Sequence, residues 1–278
     1  MSQDPLRVVI AGSATIDEQR LSGKPAFRAP GGVPLYGGGT FRRLGWEVEA
    51  VTRLGAGFPY RSVYETLGVR LRVEPSADTT TFVNHIALDG IRRQDLLAIA
   101  GPIEAKALAE IDPPDVLLLA PLHGQDLAAE VYTEAQRHAR VALDVQGLTR
   151  SSSLGLVRHD TAPAWSAALN AATHVKIAAD ERPIFDAARL RSAYGIAELI
   201  ITNGARGGTV YTDEGIVRYA PVPVAHEHDP TGAGDVFFAA YLAARFTGSD
   251  VEHAANHAAQ TAARQVAGEW IRPGRTAD

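Results

Sequence analysis

Five short, continuous apolar runs constrain this chain more than any other feature: RVVIAG (7–12), VLLLAP (116–121), VALDV (141–145), HVKIA (174–178) and LIITNG (199–204). A run with no polar alternation reads as a strand covered on both faces, and such strands belong to parallel sheets sandwiched between helices. Helix-patterned stretches lie at 104–110, 125–139, 180–194 and 236–247. The alternation predicts an α/β fold of three layers with a mostly parallel central sheet. Ligands of such sheets sit beyond the carboxyl ends of the strands. Two segments read differently. Residues 17–30 and 78–101 (which contains DTTTFVNHIALDG) alternate polar and apolar, as half-exposed antiparallel strands do. They predict a small β-strand lid over the main sheet. No repeat, low-complexity linker or composition break divides the sequence, so residues 1–278 are expected to form a single domain. The C-terminal IRPGRTAD is expected to be loose.

Composition excludes several classes. Apolar residues make up 46% and charged residues 21%, as in an ordinary soluble globular protein. The net charge of −5, without a basic run, points away from nucleic acid as a partner. No cysteine is present, so disulfides, thiolate chemistry and Cys-based zinc sites are out. The start MSQDPLRVVIAG lacks a signal peptide's apolar stretch, and no run reaches membrane-spanning length. A cytoplasmic protein without a membrane partner is expected.

The chemistry concentrates in HDPTGAGD (228–235), where a glycine turn runs straight into the apolar VFFAAYLAA. Glycines let the backbone approach a small group closely, and the first turn of a helix presents unpaired N–H groups that favour an anion. Asp235 then reads as a base beside a phosphate, or as a first-turn acid that complements the helix dipole. A P-loop would need Gly-Lys-Ser/Thr, which is absent, and no downstream acidic ribose partner supports a dinucleotide site. HEHD (226–229) places two histidines on one face of a strand without a third ligand, so a metal site is not expected there.

DPTGAGD followed by its bulky helix resembles the C-terminal signature of the ribokinase (PfkB) family of carbohydrate kinases, usually Asp-Thr-x-Gly-Ala-Gly-Asp. The resemblance implies that Asp235 takes the proton of the acceptor hydroxyl. It also implies that the N–H groups of Gly232, Ala233 and Gly234 hold the transferring phosphoryl group. PGGVPLYGGGTFRRLGWEVEAVTRLG (30–55) is similar to the family's N-terminal signature. The Gly31–Gly32 pair falls in place, Tyr36 stands where ribokinase has Asn, and a helix ends at Leu44–Gly45. Gly37–Gly39 read as a helix start packed tightly on a strand. The family commonly binds substrate hydroxyls through an Asp near Asp17.

THVKIAADERPIF resembles the family's Lys-x-Asn-x-x-Glu stretch, with Lys176 and Glu181 matching and Ala178 at the Asn position. Glu181 is implied to help place Mg²⁺, with Asp180 compensating for the missing Asn. TNGARGG resembles Thr-x-Gly-x-x-Gly, which implies a nucleotide-lining turn at Thr202, Gly204 and Gly207. Asn256 falls where family members often touch adenine. The implied cofactors are ATP and Mg²⁺, with a monovalent cation as an option, and the implied fold is ribokinase-like. Lid strands in this family often meet across a homodimer.

For the acceptor, LDVQGLTR (143–150) brings Asp144, Gln146 and Arg150 to a strand end, and the lid hairpin offers Asn84, Arg92 and Gln94. This pattern, with Tyr36, resembles the myo-inositol kinase-like branch and implies a sugar or cyclitol acceptor. Two rivals stand beside it. One is a nucleoside kinase of the same family, stacking a base on Tyr36, Phe82 and His85. The other is a non-catalytic nucleotide or sugar sensor on the kinase fold.

Overall fold

All five apolar runs become strands of one sheet. The computed structural model describes residues 4–21, 23–86, 92–151, 153–181, 186–273 and 276–277. The first part of the chain runs β1 (Arg7–Ala11), β2 (Thr15–Leu21), β3 (Phe27–Gly31), α1 (Val33–Arg43), β4 (Glu47–Gly55), α2 (Arg61–Leu67), β5 (Arg70–Ser76), β6 (Thr81–Ile86) and β7 (Arg92–Ala98). Then come α3 (Ala105–Ala109), β8 (Val116–Leu119), α4 (Ala129–Ala135), β9 (Val141–Asp144), β10 (Gly155–Leu156), α5 (Trp165–Ala171) and β11 (His174–Ala178). The last part holds α6 (Ala187–Tyr194), β12 (Glu198–Thr202), β13 (Gly208–Tyr211), β14 (Ile216–Tyr219), α7 (Ala233–Phe246), α8 (Val251–Val266) and β15 (Thr276–Ala277).

The central sheet has the order β14-β13-β12-β11-β9-β8-β1-β4-β5. Every pairing from β12 through to β5 is parallel, and β13 and β14 add an antiparallel hairpin at one edge. Alternate residues of each strand enter opposite cores, which is why the runs carry no polar phase. Val8 and Ile10 join Leu118 and Ile200 beneath α1, α7 and α8. Val9 and Ala11 join Leu117, Leu143 and Ile177 against α3, α4 and α5. Each fully buried aliphatic side chain contributes about 1.5–3 kcal/mol, so both faces are firmly held.

The lid is a second sheet, ordered β10-β7-β6-β2-β3-β15. Its β2–β3 and β6–β7 pairs are antiparallel as expected, but β2 and β6 run parallel where they meet. They belong to distant hairpins, so no turn forces opposite directions on them. The tail is not loose throughout. Its first residue, Ile271, is buried and donates its N–H to Gln265 Oε1 at 2.8 Å, next to Trp270, whose indole N–H donates to Thr40 Oγ1 at 2.9 Å.

Other expectations need correction. Of the glycines 37–39, Gly38 alone lies against a strand residue, Val48 of β4. Gly37 faces α7 and Gly39 leaves room for Ile271. Helix 180–194 begins only at Ala187, capped by the Asp186 carboxylate accepting from the Arg189 N–H, while 182–185 lie outside the described residues. Residues 226–229 form no strand, so His226 and His228 share no strand face. No described helix is long and apolar enough to cross a membrane.

Candidate active site

Parallel strands end together, and here β9, β11 and β12 deliver their last residues to one edge of the sheet beside the start of α7. Two cavities open at that edge. One, of about 610 Å³, lies under the lid and is lined by Thr15, Asp17, Tyr36, Gln94, Arg150 and Asp235 among others. The second, of about 750 Å³, runs between the β12–β13 turn, the segment Pro221–Val224 and α8. Thr202, Pro230, Ala233 and Gly234 line both, so the glycine turn is their common wall.

The turn itself is held by contacts that the residue types dictate. Gly232 caps α7 with a φ of +75°, and a Cβ there would overlap the Tyr36 ring. Glycine is therefore required twice, for backbone conformation and for the close approach of the ring. Gly32, with a φ of +88°, caps α1 in the same way, and a Cβ on it would overlap the Ser13 carbonyl oxygen. This fixes the first turn of α1, and with it Tyr36. A Cβ on Gly31 would overlap the Asp17 carboxylate, which accepts a hydrogen bond from the Thr15 hydroxyl at 2.8 Å.

Asp235 is half-buried on the first turn of α7. Burial pushes its carboxyl up to about 7, against the downward pull of Lys176 and Arg150, and Asp144 and Glu181 add to the rise. Lys176 lies opposite Asp144 in the β9–β11 register, and its ammonium donates to Asp144 Oδ2 at 2.6 Å. Burial presses this ammonium down, but Asp144, Asp235 and Glu181 outweigh it and hold Lys176 above its ordinary value. Glu181 is buried, which raises its carboxyl despite the neighbouring Arg150 and Lys176. The Arg150 guanidinium donates to Glu181 Oε1 at 3.3 Å and to Gln94 Oε1 at 3.4 Å, tying the lid to the sheet edge. Glu181 Oε2 is buried and has no hydrogen-bond partner among the described residues.

Most residues singled out in the sequence converge here. Asp17, Gly32, Tyr36, Gln94, Lys176, Asp180, Glu181, Thr202 and the turn from Gly232 to Asp235 line the lid cavity, and Gly204 and Gly207 line the second. Others do not. Asp144 is sealed beneath Lys176 and Asn84 is fully buried, accepting from Gln94 Nε2 at 2.9 Å, so neither lines a cavity. Asn256 is exposed on α8 and lines neither cavity. Ala259, Ala262, Ala263 and Val266 take the wall instead. The side chain of Arg92 lies outside what the structure describes. His85 binds Asp95 at 2.9 Å rather than facing the cavity.

Sequence reasoning missed Arg93, Arg158 and His159 of the lid cavity and the Pro221–Val224 wall. The spacing of small residues along α8 was a usable signal for the second cavity. No sequence signal marked the first three.

A model described as the pfkB family of carbohydrate kinases matches residues 7–269. No curated protein matches the chain. Among solved structures, a pyrophosphate-dependent kinase of the ribokinase family, complexed with a pyrophosphate analog and myo-inositol, is 21% identical. The match covers 96% of each chain with a TM-score of 0.80. A Burkholderia thailandensis nucleoside kinase in complex with inosine is 19% identical over 94% of this chain and 90% of its own, with a TM-score of 0.73. A ribokinase from Thermotoga maritima is 18% identical over 94% and 93%, with a TM-score of 0.72. At these identities the likeness is one of fold: the mostly parallel sheet between helices is the ribokinase-like α/β fold.

Proposed function

The chain belongs to the pfkB family of carbohydrate kinases, and on that premise we propose that it transfers the terminal phosphoryl group of ATP to a hydroxyl of a sugar or cyclitol, with Asp235 as general base. One observation carries the reading. A carboxylate pushed up to about 7 stands beside a glycine turn that opens α7, at the wall between a polar cavity and an apolar one. A base with a pKa near neutrality balances availability as carboxylate against proton affinity.

In this reading the acceptor hydroxyl gives its proton to the Asp235 carboxylate as its oxygen attacks the terminal phosphorus. The bond from that phosphorus to the bridging oxygen breaks. The N–H groups of Gly232 and Gly234 receive the charge on the transferring group, reinforced by the N-terminal end of α7. The Ala233 N–H, expected to join them, instead donates to the Pro230 carbonyl at 3.1 Å and shapes the turn. The chain's contribution is alignment and charge stabilisation rather than covalent chemistry. Residues 1–278 act as one domain, with the lid strands excluding water from the acceptor.

The apolar walls at Pro221–Val224, Ala259, Ala262, Ala263 and Val266 suit a flat base, which favours ATP over pyrophosphate, a donor with nothing to place there. Asn256 is not used for that contact. The donor set also fits Mg²⁺. The buried Glu181 Oε2 needs a partner, and no group of three or more His, Asp, Glu or Cys able to hold a metal occurs among the described residues. Glu181, with Asp180 nearby, would hold the ion largely through water and donor phosphates, where it supplies charge neutralisation.

For the acceptor, Thr15, Asp17, Gln94, Gln146 and Arg150 offer paired donors and acceptors for adjacent hydroxyls, which supports a myo-inositol-like polyol. The nucleoside reading draws on Tyr36 and Phe82, both in the same lining, but these aromatic walls are outnumbered by polar ones. A sensor would have no use for a base tuned near neutrality. Turnover with ATP and with pyrophosphate against cyclitols, sugars and nucleosides tests the assignment. Polyol phosphorylation with ATP is expected. Adenosine or cytidine as best acceptor by kcat/KM, or pyrophosphate as sole donor, would overturn the corresponding half.

A further inference from the structure

The chain passes between the central sheet and the lid at residues 12–14, 77–80 and 99–101, which belong to no strand. Backbone groups there need partners from outside the strand ladders, and hydroxyls supply them. Thr52 Oγ1 accepts from the Ala14 N–H at 2.9 Å, and Thr80 Oγ1 accepts from the Ala100 N–H at 3.1 Å. The Thr80 carbonyl accepts from the Ile16 N–H of β2 at 3.1 Å, and Ser13 Oγ lies 3.4 Å from Thr80 Oγ1. Thr80 therefore joins all three crossings.

One carboxylate anchors this knot to the sheet. The Ser13 hydroxyl donates to Asp126 Oδ1 at 2.5 Å, and the Leu122 N–H donates to Asp126 Oδ2 at 2.8 Å. Asp126 lies between β8 and α4, where its carbonyl accepts from the Ile103 N–H at 3.0 Å. Ser13, Thr80 and Asp126 are all buried, and none lines either cavity at the sheet edge. His123 Nε2 stands 3.8 Å from Asp126 Oδ1, yet the trio is not a nucleophile with its base, because the Ser13 hydroxyl bonds the carboxylate directly and no substrate reaches it. A buried carboxylate is costly unless hydrogen bonds satisfy it, so its presence here calls for a role that an apolar residue could not fill.

Both partners of Asp126 lead to the acceptor. Leu122 lines the cavity under the lid. The Ser13 carbonyl lies against Gly32, which caps the helix that carries Tyr36. We propose that Asp126 is a positioning residue for the transfer: it fixes the lid crossings and Leu122 to one another, and so sets the height of the lid over the acceptor and the seat of Tyr36, without touching either substrate. This rests on the kinase reading above and adds to it a residue of the fixed frame. Motion of the lid is thereby confined to the strands beyond the crossings.

The test uses the full chain and three variants. Ser13→Ala removes the lid-side bond and Asp126→Ala removes both bonds. Asp126→Asn keeps the shape, with the amide oxygen for the Leu122 N–H and the amide N–H for Ser13 Oγ, whose own proton then turns to Thr80 Oγ1. The acceptor is myo-inositol, or whichever acceptor of the panel above turns over best. Ser13→Ala and Asp126→Ala are expected to raise its KM at least about tenfold at a temperature where circular dichroism shows them folded, with KM for ATP nearly unchanged. Asp126→Asn is expected to recover most of that loss. A merely structural bond would lower Tm and leave both KM values at those of the parent. That result, or equal rises in both KM values, would overturn the proposal. Should Asp126→Ala fail to fold, Ser13→Ala carries the comparison.

Hydrogen exchange decides the same point without turnover. In Ser13→Ala the amides of β2 and β6 are expected to exchange at least about tenfold faster than in the parent, with those of α7 and α8 unchanged. Equal exchange would sink the assignment of Asp126 whichever acceptor the protein takes. Absence of turnover with every donor and acceptor would count against the kinase reading instead, and the exchange rates would still decide whether Asp126 holds the lid.

Discussion

Asp235→Asn preserves side-chain volume on the first turn of α7 and removes the carboxylate that the proposed reaction needs. Loss of a positioned base should lower kcat by at least about a hundredfold while ATP binding persists, since the turn N–H groups are untouched. The parent protein carries a second signature. Burial pushes Asp235 up to about 7, and Lys176 and Arg150 keep it from rising further. The active form is the carboxylate, so activity is full above this value and is lost as pH falls through it. About half of the molecules hold the carboxylate at pH 7 and about one in a hundred at pH 5, so kcat/KM should fall about fiftyfold over that interval. The measurement is product formation by a discontinuous assay from pH 5 to 8.5, with folding monitored by circular dichroism at each pH. The variant's residual rate should show no such limb. A flat profile in the parent, or near-normal turnover in Asp235→Asn, would refute the assignment of Asp235 as the base.

Three further outcomes follow from the packing. Gly232→Ala places a Cβ into the Tyr36 ring at a left-handed residue. The conformation costs about 1–2 kcal/mol and the overlap about 1–3 kcal/mol, so a clear fall in Tm with a raised acceptor KM is expected, and an unchanged Tm would contradict the close ring contact. Glu181→Gln should raise the Mg²⁺ concentration for half-maximal rate and leave acceptor KM nearly unchanged. An unaltered Mg²⁺ titration would leave Glu181 a purely structural acid. Asp144→Asn leaves the buried Lys176 ammonium without its principal counter-ion, a loss of up to about 3–5 kcal/mol in chemical denaturation. If that variant instead changes acceptor KM at full stability, Asp144 touches substrate after all.

Local pattern carried much of this molecule. Runs such as VLLLAP and HVKIA had to be doubly covered strands, because each places apolar groups on both faces at a period of two. GAGD ahead of an apolar run had to open a helix, because glycine and Asp suit a first turn and the residues that follow are helix formers. These inferences need only neighbours in sequence. Register between distant strands is another matter. Asp144 reads as a free carboxylate at a strand end until β11 lies beside β9 and sets Lys176 against it. Asn256 reads as a candidate contact until the rotation of α8 turns Ala259, Ala262 and Ala263 to the cavity instead. Arg93 and Arg158 are unremarkable in separate segments and come to line one cavity only when β10 joins the lid edge. The sequence determined most of the elements that form and which of them end at the cavities. Tertiary structure alone decided which charges meet, because contact between distant segments depends on a register that no local periodicity encodes.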